Sequence, residues 1–168
     1  MPKIIENLEE KLLTEARKQV ESAGYSGVTI RSVAKACGVG VGTVYNYFPS
    51  KDALLAAFML EDWKVSIGTI GKTAVASDSP LPVLRVVYDE LQRYAALHKG
   101  ILQDEGAASV FAASFGRYHA LLRHQLAVPL QKFCADPFTA DFIAESLLTW
   151  TMAGKSFDDL QGILQKLF

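Results

Sequence analysis

Apolar residues recur at steps of three and four through almost the whole chain, and that period leaves room for little except helices. Ile5, Leu8, Leu12, Ala16, Val20 and Ala23 form the first such stripe, with charged residues between them, and Gly24 stands where a helix would end. Thr29 precedes Ile30, Val33, Ala34 and Cys37, which share a face, so Thr29 is expected to cap a short second helix ending near Gly38. Val39 and Gly40 then make a tight turn before a third helix over "VGTVYNYF", which Pro49 closes. Ser50 caps a fourth helix that is expected to fade among Gly68 and Gly71. A fifth follows Pro82, Asp104 and Glu105 suit the start of a sixth, and Pro129 should kink or divide that one. Asp136 with Pro137 opens the next, and Ser156 caps the last. With no strand-like alternation and no internal repeat, the chain is predicted to be all-α, with residues 1–50 as an N-terminal three-helix unit and 51–168 as a helical bundle.

Charge narrows the function by its distribution rather than its total. The formal net charge of −1 gives no general attraction to nucleic acid. Between Gly24 and Lys51, however, the only charged residues are Arg31, Lys35 and Lys51, whereas Glu6, Glu9, Glu10, Glu15 and Glu21 crowd the stretch before. The N-terminus lacks the blocks of a secretory signal, and no window approaches about 20 uninterrupted apolar residues, so neither export nor a membrane span is expected. Cys37 and Cys134 lie far apart without metal or CxxC spacing, which suits a reduced, cytoplasmic compartment.

Tyr45, Asn46 and Tyr47 stand side by side in a segment with no acid until Asp52, more hydrogen-bonding capacity than a buried helix needs. Two short helices joined by a tight glycine-containing turn form a helix-turn-helix, whose second helix can enter the major groove of DNA. Val44 and Phe48 would anchor that helix, leaving Val41, Gly42, Thr43, Tyr45, Asn46 and Tyr47 to project outward or across. Asn46 can pair with an adenine edge, and Val41 or the Thr43 methyl can touch a thymine methyl. The tyrosine hydroxyls suit phosphate oxygens, and Gly42 removes a side chain where the helix would come closest to the duplex. Lys51, in the first turn of the fourth helix, opposes the helix dipole unless a phosphate reverses the sign, and Arg31 repeats the placement on the second helix. Weighed against a merely solvated surface, the combination favours DNA.

The stretch "GYSGVTIRSVAKACGVGVGTVYNYFPSKDALL", residues 24 to 55, resembles the DNA-binding region of TetR-type transcriptional regulators in spacing as well as residue type. The resemblance implies phosphate or base contacts from Arg31, Val41, Gly42, Thr43, Tyr45, Asn46, Tyr47 and Lys51, with Thr29 as cap and near-phosphate residue. Gly40 departs from it where a Ser usually caps the recognition helix, Cys37 replaces a small Ala, and Val41 lacks the polar group many members carry.

The resemblance further implies that the C-terminal helices dimerise and enclose a small-molecule pocket. For the dimer, the sequence offers Phe142, Leu147, Trp150, Leu160, Leu164 and Leu167 in its last two helices. These residues could instead complete the core of a single chain. For a small apolar or aromatic ligand it offers Trp63, Tyr88, His98, Phe111, Phe115 and Tyr118, although aromatics at helical spacing also serve as ordinary core.

Enzymatic readings find little support. His119 and His124 are five apart and diverge on a helix, the adjacent acid pairs diverge or have capping roles, and "GVGVG" lacks both the P-loop Lys-Ser/Thr and a preceding strand. Asp141 and Glu145 share a face that reads as solvated. No cofactor, metal or catalytic group is expected. The expectation is a homodimeric regulator, a repressor that binds a palindromic operator in double-stranded DNA and is released by a ligand. The alternative is a helical, DNA-anchored interaction protein whose C-terminal half binds a protein partner.

Overall fold

The computed structural model describes residues 7–168, and their side chains except those of 109–117. Every regular element among them is helical: α1 (Leu8–Gly27), α2 (Ile30–Ala36), α3 (Val41–Tyr47), α4 (Lys51–Ala76), α5 (Pro80–Leu97), α6 (Lys99–Leu102), α7 (Glu105–Ala127), α8 (Pro137–Met152) and α9 (Phe157–Leu164). Short 3-10 stretches at Val128–Phe133 and Gln165–Leu167 follow α7 and α9, the first of them at Pro129 where the division was expected.

Side chains that occupy the orphan N–H groups of the first turn set where these helices begin. At α2 the Thr29 hydroxyl accepts from the Ser32 N–H at 3.0 Å, and Ser32 Oγ accepts from the Thr29 N–H at 3.1 Å. Asp104 accepts from the N–H groups of Gly106 and Ala107 at the head of α7. Asp136 accepts from Thr139 with Pro137 at the first position of α8, and Ser156 accepts from Asp159 at α9.

Two glycines take backbone conformations that other residues adopt only with strain. Gly38, at φ 68°, reverses the chain between α2 and α3, and Gly24, at φ 68° and ψ −179°, breaks α1. The break falls where the sequence predicts an end, but helix resumes as far as Gly27, around the buried Tyr25. The fourth helix also differs from expectation, continuing through Gly68 and Gly71 to Ala76. A glycine inside a helix costs about 1 kcal/mol relative to alanine, and burial of Ile70 and Ala74 on the same stretch offsets it. Along this half, Thr69, Thr73 and Ser77 donate their hydroxyls to the carbonyls of Val65, Thr69 and Thr73 at 3.2, 3.1 and 2.7 Å.

Among the described residues the chain packs as two units, one drawn from 7–62 and 98–111, the other from 63–97 and 112–168. In the first, α1 packs on α2 and α6, and α2 on α3, around Leu12, Ala16, Val33 and Val44. The sequence reading divides the chain at residue 50 by role; packing groups it differently, because Leu54, Leu55 and Phe58 of α4, with Ile101 and Ala107, fill the same core as the N-terminal helices. In the second unit α5, α8 and α9 pack on one another around Val83, Leu84, Leu91, Ile143 and Leu147.

Candidate nucleic-acid interface

Val44, with 0% exposure, fixes the inner face of α3, and Phe48, just past its end, is buried beside it in the same core. The remainder of α3 faces out. Gly42, Asn46, Tyr45 and Tyr47 are exposed, Val41 stands at the edge of exposure and Thr43 is half-buried. The expectation that Val44 and Phe48 anchor the helix while a polar and aromatic face remains free is what the fold has. Gly40 at the N-cap supplies no side-chain bond, and a Cβ built on Gly42 would meet nothing within 4 Å. The fold therefore has no need of glycine at position 42.

Thr29, Arg31, Val41, Tyr45, Ser50 and Lys51 line one shallow concavity, so two cations and two side chains of α3 surround a common depression. Thr29 is exposed although its hydroxyl is engaged as a cap, and Arg31 is exposed beside it. Ser50 Oγ accepts from the Ala53 N–H at 3.0 Å and so caps α4 as expected. Asn46, Tyr47, Gly42 and Thr43 lie elsewhere on α3 than the lining of this depression.

Lys51 is seated differently from the sequence argument. Its ammonium donates to the Tyr25 carbonyl at 3.1 Å and sits 3.6 Å from the centroid of the Tyr25 ring. A carbonyl in the last turn of α1 and an aromatic face both favour a cation, so the unfavourable dipole of α4 is answered within the fold and does not by itself demand a phosphate. The Tyr25 hydroxyl in turn donates to Asp52 Oδ1 at 2.6 Å. Burial, with the Asp52 carboxylate beside it, pushes the Tyr25 phenol up to about 12. Ser26 donates to Asp104 at 3.0 Å, and the Ala107 N–H, with Ser26, Gly106 and the Lys51 charge behind it, holds the Asp104 carboxyl below its ordinary value.

Sequence reasoning missed this network because Tyr25 and Asp52 are 27 residues apart and only the fold joins them. A signal was present in Tyr25 itself, a tyrosine beside the helix-breaking Gly24, since a buried phenol needs a hydrogen-bond partner. Glu145 was missed likewise. It is held by His119 at 2.9 and 3.0 Å, by the Thr149 hydroxyl at 2.9 Å and by Arg123 at 3.7 Å, whereas the sequence reading places it on a solvated face.

The residues proposed for a ligand are drawn from both units. Trp63 and Tyr88 belong to the second unit, where the Trp63 indole donates to Gln125 at 2.6 Å and meets Tyr94 edge-on, and Tyr88 donates to the Lys155 carbonyl at 3.0 Å. His98 belongs to the first unit, 2% exposed and 3.1 Å from Asp62. Tyr118 is exposed, and the side chains of Phe111 and Phe115 lie outside the described residues. Of the six residues expected at a subunit interface, Leu147, Leu160 and Leu164 are buried within their own unit, because α8 and α9 turn those positions onto α5. Phe142 and Trp150 are about half exposed, at 49% and 48%, and Leu167 is half-buried. Phe138, at 75%, extends the exposed stripe along α8, and Ile163 is exposed on α9.

Residues 12–58 match the family described as bacterial regulatory proteins, tetR family. The HTH-type transcriptional regulator BetI of Burkholderia thailandensis is 36% identical over 97 residues, covering 53% of this chain and 48% of that protein. The chain thus spans about half the length of the curated relatives it matches. Among solved structures, the TetR family repressor AlkX from a Dietzia species has a TM-score of 0.60 at 17% identity, covering 95% of this chain and 96% of that one. A cysteine mutant of the TetR family transcriptional regulator CifR, complexed with 26-bp double-strand operator DNA, has a TM-score of 0.56 at 10% identity, covering 99% and 97%. At those identities the likeness is one of fold.

Proposed function

We propose that this chain, whose residues 12–58 match the tetR family of bacterial regulatory proteins, is a DNA-binding transcriptional regulator that recognises a palindromic operator as a homodimer. The observation that carries the reading is α3 itself. Its inner face is committed to the core by Val44, while Tyr45, Asn46 and Tyr47 project from a segment flanked by Arg31 and Lys51. In this reading Arg31, Lys51 and the tyrosine hydroxyls fix register on phosphates, and Asn46, Val41 and Thr43 read base edges. Gly42 lets the helix backbone approach the duplex, and Thr29 holds the start of α2 near a phosphate.

Dimerisation rests on the stripe of Phe138, Phe142 and Trp150 along α8 with Ile163 on α9, exposed apolar surface that a second copy would cover. Two heads in one dimer match two half-sites about 34–36 Å or a multiple apart, and repression follows from occupying the operator. A small apolar or aromatic effector, if it enters the second unit near Trp63, would find the Trp63–Gln125 bond as its polar handle.

The test is selection of genomic fragments by the purified protein at defined salt, with a Tyr47→Ala, Lys51→Ala double variant beside it. Enrichment of one palindrome by the wild type alone is the expected result. Equal recovery by both proteins, or recovery of nothing by either, would refute the proposed DNA face.

A further inference from the structure

We infer that Tyr25 is a positioning residue for a Lys51–phosphate contact, acting by keeping the Lys51 ammonium apart from the carboxylate of its neighbour Asp52. The inference rests on the reading of the first unit as a DNA-binding head. Lys51 and Asp52 are adjacent at the start of α4 and carry opposite charges. A free carboxylate beside the lysine would partly neutralise the cation and would itself repel a phosphate.

Tyr25 engages both partners at once, from opposite ends. Its hydroxyl takes the Asp52 carboxylate in a short charge-assisted bond of 2.6 Å, while its ring face and carbonyl take the Lys51 ammonium at 3.6 and 3.1 Å. An ammonium has three N–H donors, and one bond to a carbonyl leaves donors for phosphate oxygens. The ring itself is held, because Tyr25 is 6% exposed and belongs to the core of the first unit. Lys51 lines the same concavity as Arg31, so the position that Tyr25 imposes is on the proposed phosphate-facing side.

The test uses the full chain and an operator selected by the wild type, with affinity measured across a salt series. Tyr25→Phe keeps the ring and the carbonyl but releases Asp52. It should weaken binding about fivefold and lower the slope of log affinity against log salt by about one, the signature of one lost phosphate contact. Adding Asp52→Asn to Tyr25→Phe should restore wild-type affinity, because no carboxylate is left to draw the ammonium away. In a Lys51→Gln background, Tyr25→Phe should have no further effect on affinity. A purely structural loss would weaken binding in every background and would not be rescued at position 52; urea unfolding of each variant tracks that loss separately.

The inference is overturned if Tyr25→Phe binds as the wild type does, if its effect persists in the Lys51→Gln background, or if Asp52→Asn gives no rescue. If the wild type selects no duplex, or Lys51→Gln binds as tightly as wild type, the underlying DNA reading of Lys51 fails and takes the inference with it. Those two outcomes are seen in chains whose Tyr25 is intact, which separates them from failure of the inference alone.

Discussion

His98 and Asp62 meet nitrogen to carboxylate oxygen at 3.1 Å within the first unit, and the other oxygen of Asp62 accepts from Arg17 at 3.0 Å. His98 also stacks on Phe58, with ring centroids 5.8 Å apart, and the Arg17 guanidinium lies 5.2 Å from the centre of that same ring. One carboxylate on α4 thus receives a group from α1 and another from the residue that precedes α6. Asp62→Ala removes the hydrogen-bond acceptor of Arg17 and the oxygen that faces His98, and should destabilise the chain by about 1–3 kcal/mol, the cost of leaving a part-buried polar group without its partner. Asp62→Asn should cost less, as it keeps an acceptor. Urea unfolding decides, and a change below about 1 kcal/mol for the alanine variant would mean that the pair adds little.

Gly42 permits a clean separation of stability from recognition. A Cβ there meets nothing within the chain, so Gly42→Ala should leave stability unchanged or raise it by up to about 1 kcal/mol through helix propensity. If the α3 backbone approaches DNA at this point, the same variant should lose about tenfold or more in operator affinity. A thermal melt and a titration on one protein preparation check both halves, and unchanged affinity would remove Gly42 from the interface.

The phenol of Tyr25, raised from 10.0 to about 12, predicts an alkaline limit to stability. The folded chain keeps this proton where an unfolded chain has released it, so the contribution is complete below about pH 10 and is lost as pH rises through about 12. Tyr25→Phe should flatten the fall in melting temperature over that window. The acid limit has the opposite sign. Asp104 is held low chiefly by the Ala107 N–H, Asp136 by that of Thr139, and Asp159 by the Ser156 hydroxyl. Their contribution is present above about pH 4 and fades as the pH falls through their lowered values. Melting curves from pH 6 downward should therefore steepen below about pH 4, and Asp136→Asn should blunt that loss.

Surface and core positions on α8 should respond in different assays. Phe142→Glu with Trp150→Glu alters residues about half exposed in the single chain, so it should convert a dimer to a monomer in light scattering while leaving the helical signal intact. Leu147→Ala, at a fully buried site, should instead cost about 2–5 kcal/mol of folding stability. A double glutamate variant that remains dimeric would move the subunit contact away from α8.

Much of this arrangement is legible in the sequence because it depends on local chemistry. Thr29, Ser50, Asp136 and Ser156 act within three residues of themselves, and the caps fall where residue type places them. The free face of α3 is legible too, since Val44 and Phe48 fix the inner side by helical spacing. What spacing cannot carry is which apolar stripe meets another. Leu147 and Phe142 look alike as members of one apolar helix, and only packing against α5 and α9 puts the first inside and the second out. Lys51 is hidden for the same reason: its partner Tyr25 is 26 positions away, and a dipole argument confined to α4 has no access to it.

The hydroxyls of Thr69, Thr73 and Ser77, each turned back onto a carbonyl one turn earlier, give the second half of α4 a mechanical character of its own. A carbonyl that already has a second donor can release its amide without being left empty, and Gly68 and Gly71 supply no Cβ to resist the change in torsion. The stretch from Leu54 to Phe58 has no side-chain donor of this kind, so the carbonyls of the longest helix among the described residues are satisfied in two ways along its length.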